Sequence, residues 1–238
     1  MPMNRILILD NSIDHNVYRP LEDWVPLLLF SSESFRASEG QLPPSLDPYS
    51  HIILTGSEAS VLDDADWITA EEELIRLAVR MGKVILGSCF GHQMIARSLF
   101  GMDTVRRRDR VEVGWPDIRV VKSDPLVGQS GQVTHCFVFH FDEVYNLPED
   151  ETTVLAQSSE CRSQAFKLNR KPVWGIQPHP EIGIVGGLRL LEALGEGYCY
   201  QRQDFLHAKQ DPPRDSGWII PLMRAFQRVS PLDPETAK

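Results

Sequence analysis

The residue best equipped for covalent chemistry is Cys89, set in Gly87-Ser88-Cys89-Phe90-Gly91. The apolar run Val84-Ile85-Leu86 before it reads as a buried strand, and the stretch 92–100 after it as a helix. Strand, G-x-C-x-G, helix is the cysteine form of a nucleophile elbow. So sharp a turn drives the flanking residues against neighbouring backbone, and glycines two positions to either side of the nucleophile remove the collision. The pattern predicts a sulfur lifted above a sheet, at the N-terminus of a helix whose dipole favours thiolate over thiol. It also predicts that the backbone N–H of Phe90 is available to a developing oxyanion. The competing reading is a buried structural cysteine beside two glycines that end a strand.

A thiolate that attacks an amide needs a partner to protonate the leaving nitrogen, and imidazole does this near neutral pH. Trp174-Gly175-Ile176-Gln177-Pro178-His179-Pro180-Glu181 delivers one at the end of a predicted strand, with prolines stiffening the exit. Glu181, two residues on, is placed to hold one ring nitrogen and fix the tautomer. His92 lies one helical step from the elbow, which gives it a structural role, and His15, His51, His135 and His207 fall in no pattern. No set of His, Cys and carboxylate residues has metal-ligand spacing, so neither a metal nor another cofactor is expected. Cys136, Cys161 and Cys199 form no C-x-x-C pair and are expected to be reduced, buried and apolar in character.

The elements that must carry these residues alternate. Buried strands are predicted at 5–9, His51–Leu54 and 83–86. Between the last two lies a helix at 70–81, capped by Thr69, helped by Glu71, Glu72 and Glu73 near its positive end, and stopped by Gly82. This rhythm predicts an α/β fold, a doubly wound and mainly parallel sheet with helices on both faces. Farther along, strands are expected at 111–121, 133–139, 152–157, 163–168 and 172–176, and helices at 181–194 and 218–229. A polar surface loop containing Pro212-Pro213 is expected at 201–216, and a frayed tail at 231–238. No repeat or long linker divides the chain. A single domain over residues 1–238 is expected, its core at 5–194 and a C-terminal loop and helix at 195–230.

Composition narrows the classes. Hydrophobic residues at 42% and charged residues at 24% suit a folded enzyme and exclude a disordered chain. A net charge of −9 argues against a nucleic-acid or anionic-membrane surface. The run Arg106-Arg107-Arg108, with Arg110 beyond it, is expected to be a solvated loop or strand edge; an anion-contacting rim is the alternative. No apolar run approaches the roughly 20 residues that span a bilayer. The first residues show no signal-peptide cleavage pattern, so a cytoplasmic location is expected.

Together, GSCFGHQ and the histidine of IQPHPE, 90 residues after the cysteine, resemble the class I (triad-type) glutamine amidotransferases. The resemblance runs over roughly residues 5–194 and takes in IILTGSEASV, Glu112-Val113-Gly114 and FHFDEVYNLP at 139–148. Within the family it is nearest to free-standing members similar to the glutaminase domain of GMP synthase, and to gamma-glutamyl peptidases. It implies a flavodoxin-like architecture and a triad of Cys89 as nucleophile, His179 as base and acid, and Glu181 as orienting carboxylate. Ser57 and Phe90 match the backbone donors of an oxyanion hole. Gly56, Gln93 and His140 match positions beside the bound substrate. Gln93 also reads as a helix residue packing near the elbow, and His140 as a loop-fixing hydrogen-bond partner together with Asp142. The family's common Ser-Gly-Gly-Pro stands here as Thr55-Gly56-Ser57-Glu58, which leaves the backbone conformation at Ser57 open but keeps a main-chain donor.

The reaction so implied is hydrolysis of the glutamine side-chain amide through a Cys89 thioester, giving glutamate and ammonia. The chain shows no G-x-x-x-x-G-K-[ST] nucleotide loop and no second synthetase region. Either ammonia passes to a separate synthetase partner, or the chain hydrolyses small gamma-glutamyl compounds on its own account. A non-catalytic binding or regulatory module of the same fold, and a hydrolase of other esters or peptides, are the rival classes. Selective alkylation of Cys89 separates the first, and a substrate comparison the second.

Overall fold

The computed structural model describes residues 5–195 and 202–233. β1 (Arg5–Asp10) is apolar on both faces because both are covered: Leu7 and Leu9 face one core, Ile6 and Ile8 the other. Its parallel neighbours are β2 (Ser31–Arg36) and β3 (His51–Leu54), followed by β4 (Val84–Ser88) and, parallel to that, β11 (Val173–Ile176). Here the sheet changes sense. β10 (Ala165–Leu168), β9 (Thr152–Gln157), β6 (Ile118–Val120) and β7 (Val133–Thr134) continue it antiparallel, in the order β2-β1-β3-β4-β11-β10-β9-β6-β7. A separate antiparallel pair, β5 (Val105–Gly114) with β8 (Val138–Val144), stands outside that sheet.

One face is covered by α2 (Asp66–Arg80) and α3 (Phe90–Phe100), which seat Ile68, Ile75, Ala78, Met94 and Ile95 against Leu7, Ile52 and Ile85. The other is covered by α1 (Pro20–Trp24) and α6 (Ile219–Phe226) through Trp24, Leu222, Met223 and Phe226. Each such fully buried side chain contributes roughly 1.5–3 kcal/mol relative to leaving it in water. A third cluster joins α4 (Ile184–Gly195) and α5 (Arg202–Gln210) to the β5–β8 pair through Leu191, Phe205, Ala208, Val111 and Phe137.

Several expectations are corrected. α2 begins at Asp66, a turn before the predicted 70, so Thr69 lies inside it and Ala65 precedes it without a side-chain cap. Glu71 and Glu72 are buried instead of flanking a solvated end; Glu72 takes an ion pair from Arg97 at 2.6 Å. The strand predicted at 111–121 is broken at Trp115-Pro116-Asp117 into β5 and β6, and that at 133–139 into β7 and β8, each half joining a different sheet. The helix predicted from 181 starts at Ile184. The loop predicted at 201–216 contains α5, which forms because Phe205 and Ala208, one turn apart, both find cover. The basic run lies on β5, and its charges are matched by acids: Arg106 and Arg108 by Glu143, Arg107 by Asp142, Arg110 by Asp204. Cys199 and residues 234–238 lie outside the described residues; Cys136 and Cys161 are free and buried. Among the described residues, no helix is long and apolar enough to cross a membrane.

Candidate active site

β4 ends on Cys89, whose φ of 50° and ψ of −104° lie outside the ordinary regions for a side-chain-bearing residue. Its N–H donates to Ile176 O at 2.9 Å, and its carbonyl accepts from Gln93 N at 3.1 Å, so the strained turn is tied at both ends. The glycines are required by contact. A Cβ at Gly87 would lie 2.4 Å from the Gly91 carbonyl, and one at Gly91 would lie 2.4 Å from Leu54 O. The Cys89 Sγ rests 3.6 Å from the carbonyl of Phe139, and the His179 imidazole lies close enough to feel its charge.

His179 follows β11, the neighbour of β4, and its N–H donates to Phe137 O at 2.7 Å. Nδ1 is 2.8 Å from Glu181 Oε1, which leaves the other ring nitrogen for the thiol. Burial works against a charge on this imidazole, but Cys89 and Glu181, through their charges and hydrogen bonds, outweigh it and push the pKa up to about 10. Glu181 Oε1 also accepts a 2.9 Å hydrogen bond from the hydroxyl of Tyr18, whose ring stands edge-on to His179 with centroids 5.7 Å apart. Burial, and then the charge of Glu181, raise the Tyr18 pKa well above its ordinary value, so the hydroxyl remains a donor. Ser88 donates to Pro178 O at 3.1 Å and pins the bend that carries His179.

The segment 55–58 follows β3. Thr55 Oγ1 accepts from Asn11 N at 2.9 Å and donates to Gly56 O at 3.0 Å, while Thr55 O accepts from Gly91 N at 3.1 Å, joining this segment to the elbow. Ser57 does not have positive φ, which answers the question its side chain raised, and its hydroxyl accepts from Ala59 N at 3.0 Å. Phe90 is the first residue of α3, so its N–H has no partner within that helix. A Cβ on Gly56 would come within 2.5 Å of His179 Cε1. Ser57, Cys89 and His179 open together on a cavity of about 550 Å³ that Gln93 and His140 also line.

Gln93 and His140 are tethered to protein groups. Gln93 Nε2 donates to Asp142 O at 2.7 Å and to Gln177 Oε1 at 3.2 Å. His140 Nδ1 is 2.9 Å from Asp142 O and Nε2 is 2.8 Å from Glu112 Oε2, which matches the loop-fixing role. His92 is buried against Phe166, and burial lowers its pKa to about 3, keeping it neutral. Although no metal-type spacing exists in the sequence, the fold brings possible ligand atoms of Glu112, His140 and Cys161 within 4.8 Å of one another. Glu112 is already saturated by His140, Ser158 Oγ at 2.6 Å and Gln164 Nε2 at 3.0 Å, and burial pushes the Cys161 thiol up. The group is a hydrogen-bonded brace behind the cavity wall. Sequence reasoning missed Tyr18, whose loop has no periodicity, and the brace, whose members come from three separate segments.

Comparisons with known proteins place the chain among relatives of the same fold. A family model described as "Glutamine amidotransferase class-I" matches residues 7–186. The glutamine-hydrolyzing GMP synthase subunit of Methanothermobacter thermautotrophicus is 29% identical over 183 residues, 76% of this chain and 90% of that protein. Gamma-glutamyl peptidase 4 of Arabidopsis thaliana is 31% identical over 182 residues, 70% of this chain and 67% of that protein. In fold, a glutamine amidotransferase from Thermotoga maritima superposes with a TM-score of 0.73 at 21% identity, over 94% of this chain and 96% of that one. The chain belongs to the class-I glutamine amidotransferase family.

Proposed function

We propose that this protein hydrolyses the side-chain amide of glutamine or of a gamma-glutamyl compound, releasing glutamate. Cys89 is the nucleophile, His179 the acid and base, and Glu181 the carboxylate that orients the ring. The observation that supports the reading is that Cys89 and His179 line one cavity with Ser57, while Glu181 holds His179 Nδ1 at 2.8 Å. The Cys89 sulfur attacks the amide carbon, and the N–H groups of Ser57 and Phe90 receive the oxyanion. Protonated His179 donates to the departing nitrogen, then takes a proton from the water that cleaves the thioester. A second reading, in which ammonia passes to a separate partner protein, draws on the description of the archaeal relative as one part of a synthase.

The test is Cys89→Ala, assayed for glutamate release, with circular dichroism to verify the fold. Loss of the nucleophile from residues that act as a unit lowers turnover by on the order of 10⁴-fold or more. Iodoacetamide at neutral pH labels Cys89 ahead of Cys136 and Cys161, both buried with thiols pushed up by burial. A folded Cys89→Ala protein with undiminished turnover would end the proposal.

A further inference from the structure

We infer that the nitrogen leaving group carries a bulky apolar substituent, so that the substrates are N-substituted gamma-glutamyl amides in preference to glutamine. The inference rests on the reading of Cys89 and His179 given above. A cavity of about 550 Å³ lies in the range that encloses molecules well beyond the size of one amino acid. Its walls differ in chemistry. Toward α3 and the β5–β8 pair it presents Gln93, Ser60, Arg107 and Asp142 beside the rings of Phe139 and Phe141, with Asp142 accepting from Ser60 Oγ at 2.6 Å and pairing with Arg107 at 3.1 Å. Those groups suit the amino and carboxylate ends of a glutamyl unit.

Around His179, beyond Cys89 and Ser57, the lining includes an apolar wall. Tyr18 meets the imidazole edge-on, and Phe137 lies with its ring centroid 6.5 Å from it. Ile182, Leu190 and Leu194 continue the wall. The hydroxyl of Tyr18 is spent on Glu181, so its ring is what faces the space. His179 must deliver its proton to the departing nitrogen, which places any substituent on that nitrogen on the imidazole side of the cavity. Ammonia has no apolar surface to offer this wall; a substituted amine does.

The chemistry balances without a co-reactant beyond water. Cys89 Sγ bonds to the gamma carbon, the C–N bond breaks, and His179 passes its proton to the nitrogen, freeing a neutral amine. Water then adds to the thioester carbon, its proton goes to His179, the C–S bond breaks, and glutamate leaves with the thiolate restored. The experiment compares kcat/KM of the whole chain for glutamine, gamma-glutamyl methylamide and gamma-glutamyl benzylamide. The benzylamide is expected to exceed the methylamide by about 10- to 10²-fold, the range that burial of an apolar group in a fitted pocket gives. Leu190→Ser is expected to lower that ratio by about threefold or more, whatever it does to either rate alone. Equal or better use of glutamine or the methylamide by the wild-type chain overturns the inference, as does an unchanged ratio in folded Leu190→Ser. Release of glutamate from none of the amides would instead overturn the functional proposal beneath it.

Discussion

Gly56→Ala isolates the coupling between the segment 55–58 and the histidine. Gly56 has no positive φ, so alanine fits the backbone and the whole effect comes from one methyl group. That methyl would stand 2.5 Å from His179 Cε1 and 3.3 Å from the Tyr18 ring. Carbon atoms rest at about 3.5–4.0 Å, so the imidazole or the segment must retreat by roughly 1 Å. A misplacement of that size costs on the order of 10² in rate. Tyr18 blocks one line of retreat, and the 2.8 Å bond to Glu181 resists another. Turnover would be followed by glutamate release and the fold by a thermal melt. The rate of Cys89 alkylation at one fixed pH then tells the two movements apart. If the ring moves, the sulfur loses its imidazole neighbour and alkylation slows; if segment 55–58 moves, turnover falls and the alkylation rate stays. A folded Gly56→Ala protein within about threefold of wild-type turnover would refute the argument that this glycine exists to admit the imidazole.

Tyr18→Phe removes one of two hydrogen bonds to Glu181 Oε1, and kcat is expected to fall by about 10-fold, in line with the loss of a bond to a charged acceptor; an unchanged kcat would make Tyr18 packing alone. Ser57→Gly is expected to cost a few-fold, because the hydroxyl braces Ala59 N and no backbone strain is there to relieve. Ser57→Pro, which deletes the main-chain donor, is expected to cost about 10²–10³; equal damage in two folded proteins would defeat the backbone-donor assignment. Burial raises the Glu71 carboxyl from 4.5 to about 8, with Asn11 opposing in part, so the folded chain keeps a proton that the unfolded chain releases. Stability linked to Glu71 is therefore complete below pH 4.5, falls as pH rises toward about 8 and is level beyond. Glu71→Gln should remove that slope, and chemical denaturation between pH 5 and pH 9 should show its advantage over wild type widening to about pH 8; a constant gap would refute it.

The elbow was legible because its requirement is local: two glycines are needed where backbone meets backbone within the same turn and the neighbouring strand. His179 and Glu181 were legible for a similar reason, since a strand end, two prolines and a carboxylate two residues on make a short-range pattern. Tyr18 was not, because its role depends on a loop crossing to meet a residue 163 positions away. Nor was the exchange of strands between sheets, since Val111, Val113, Trp115, Ile118 and Val120 read as one run across Pro116 and only tertiary packing decides where each half pairs. β2 escaped notice because SSESFR is a polar edge strand held by backbone bonds to β1, with little apolar alternation to reveal it. α5 was hidden by its polarity, for only Phe205 and Ala208 mark a buried face.

The place of β11 in the sheet has a consequence for how the protein comes into being. It is the last strand among the described residues, yet it lies in the interior of the sheet, between β4 and β10. A ribosome therefore releases Cys89 long before the strand that brings His179 beside it, and until then β4 has an unfilled edge. Until the sheet closes, the nascent Cys89 has no imidazole beside it. Folding of this kind is slow, since pairing across some 90 residues must be won against chain entropy.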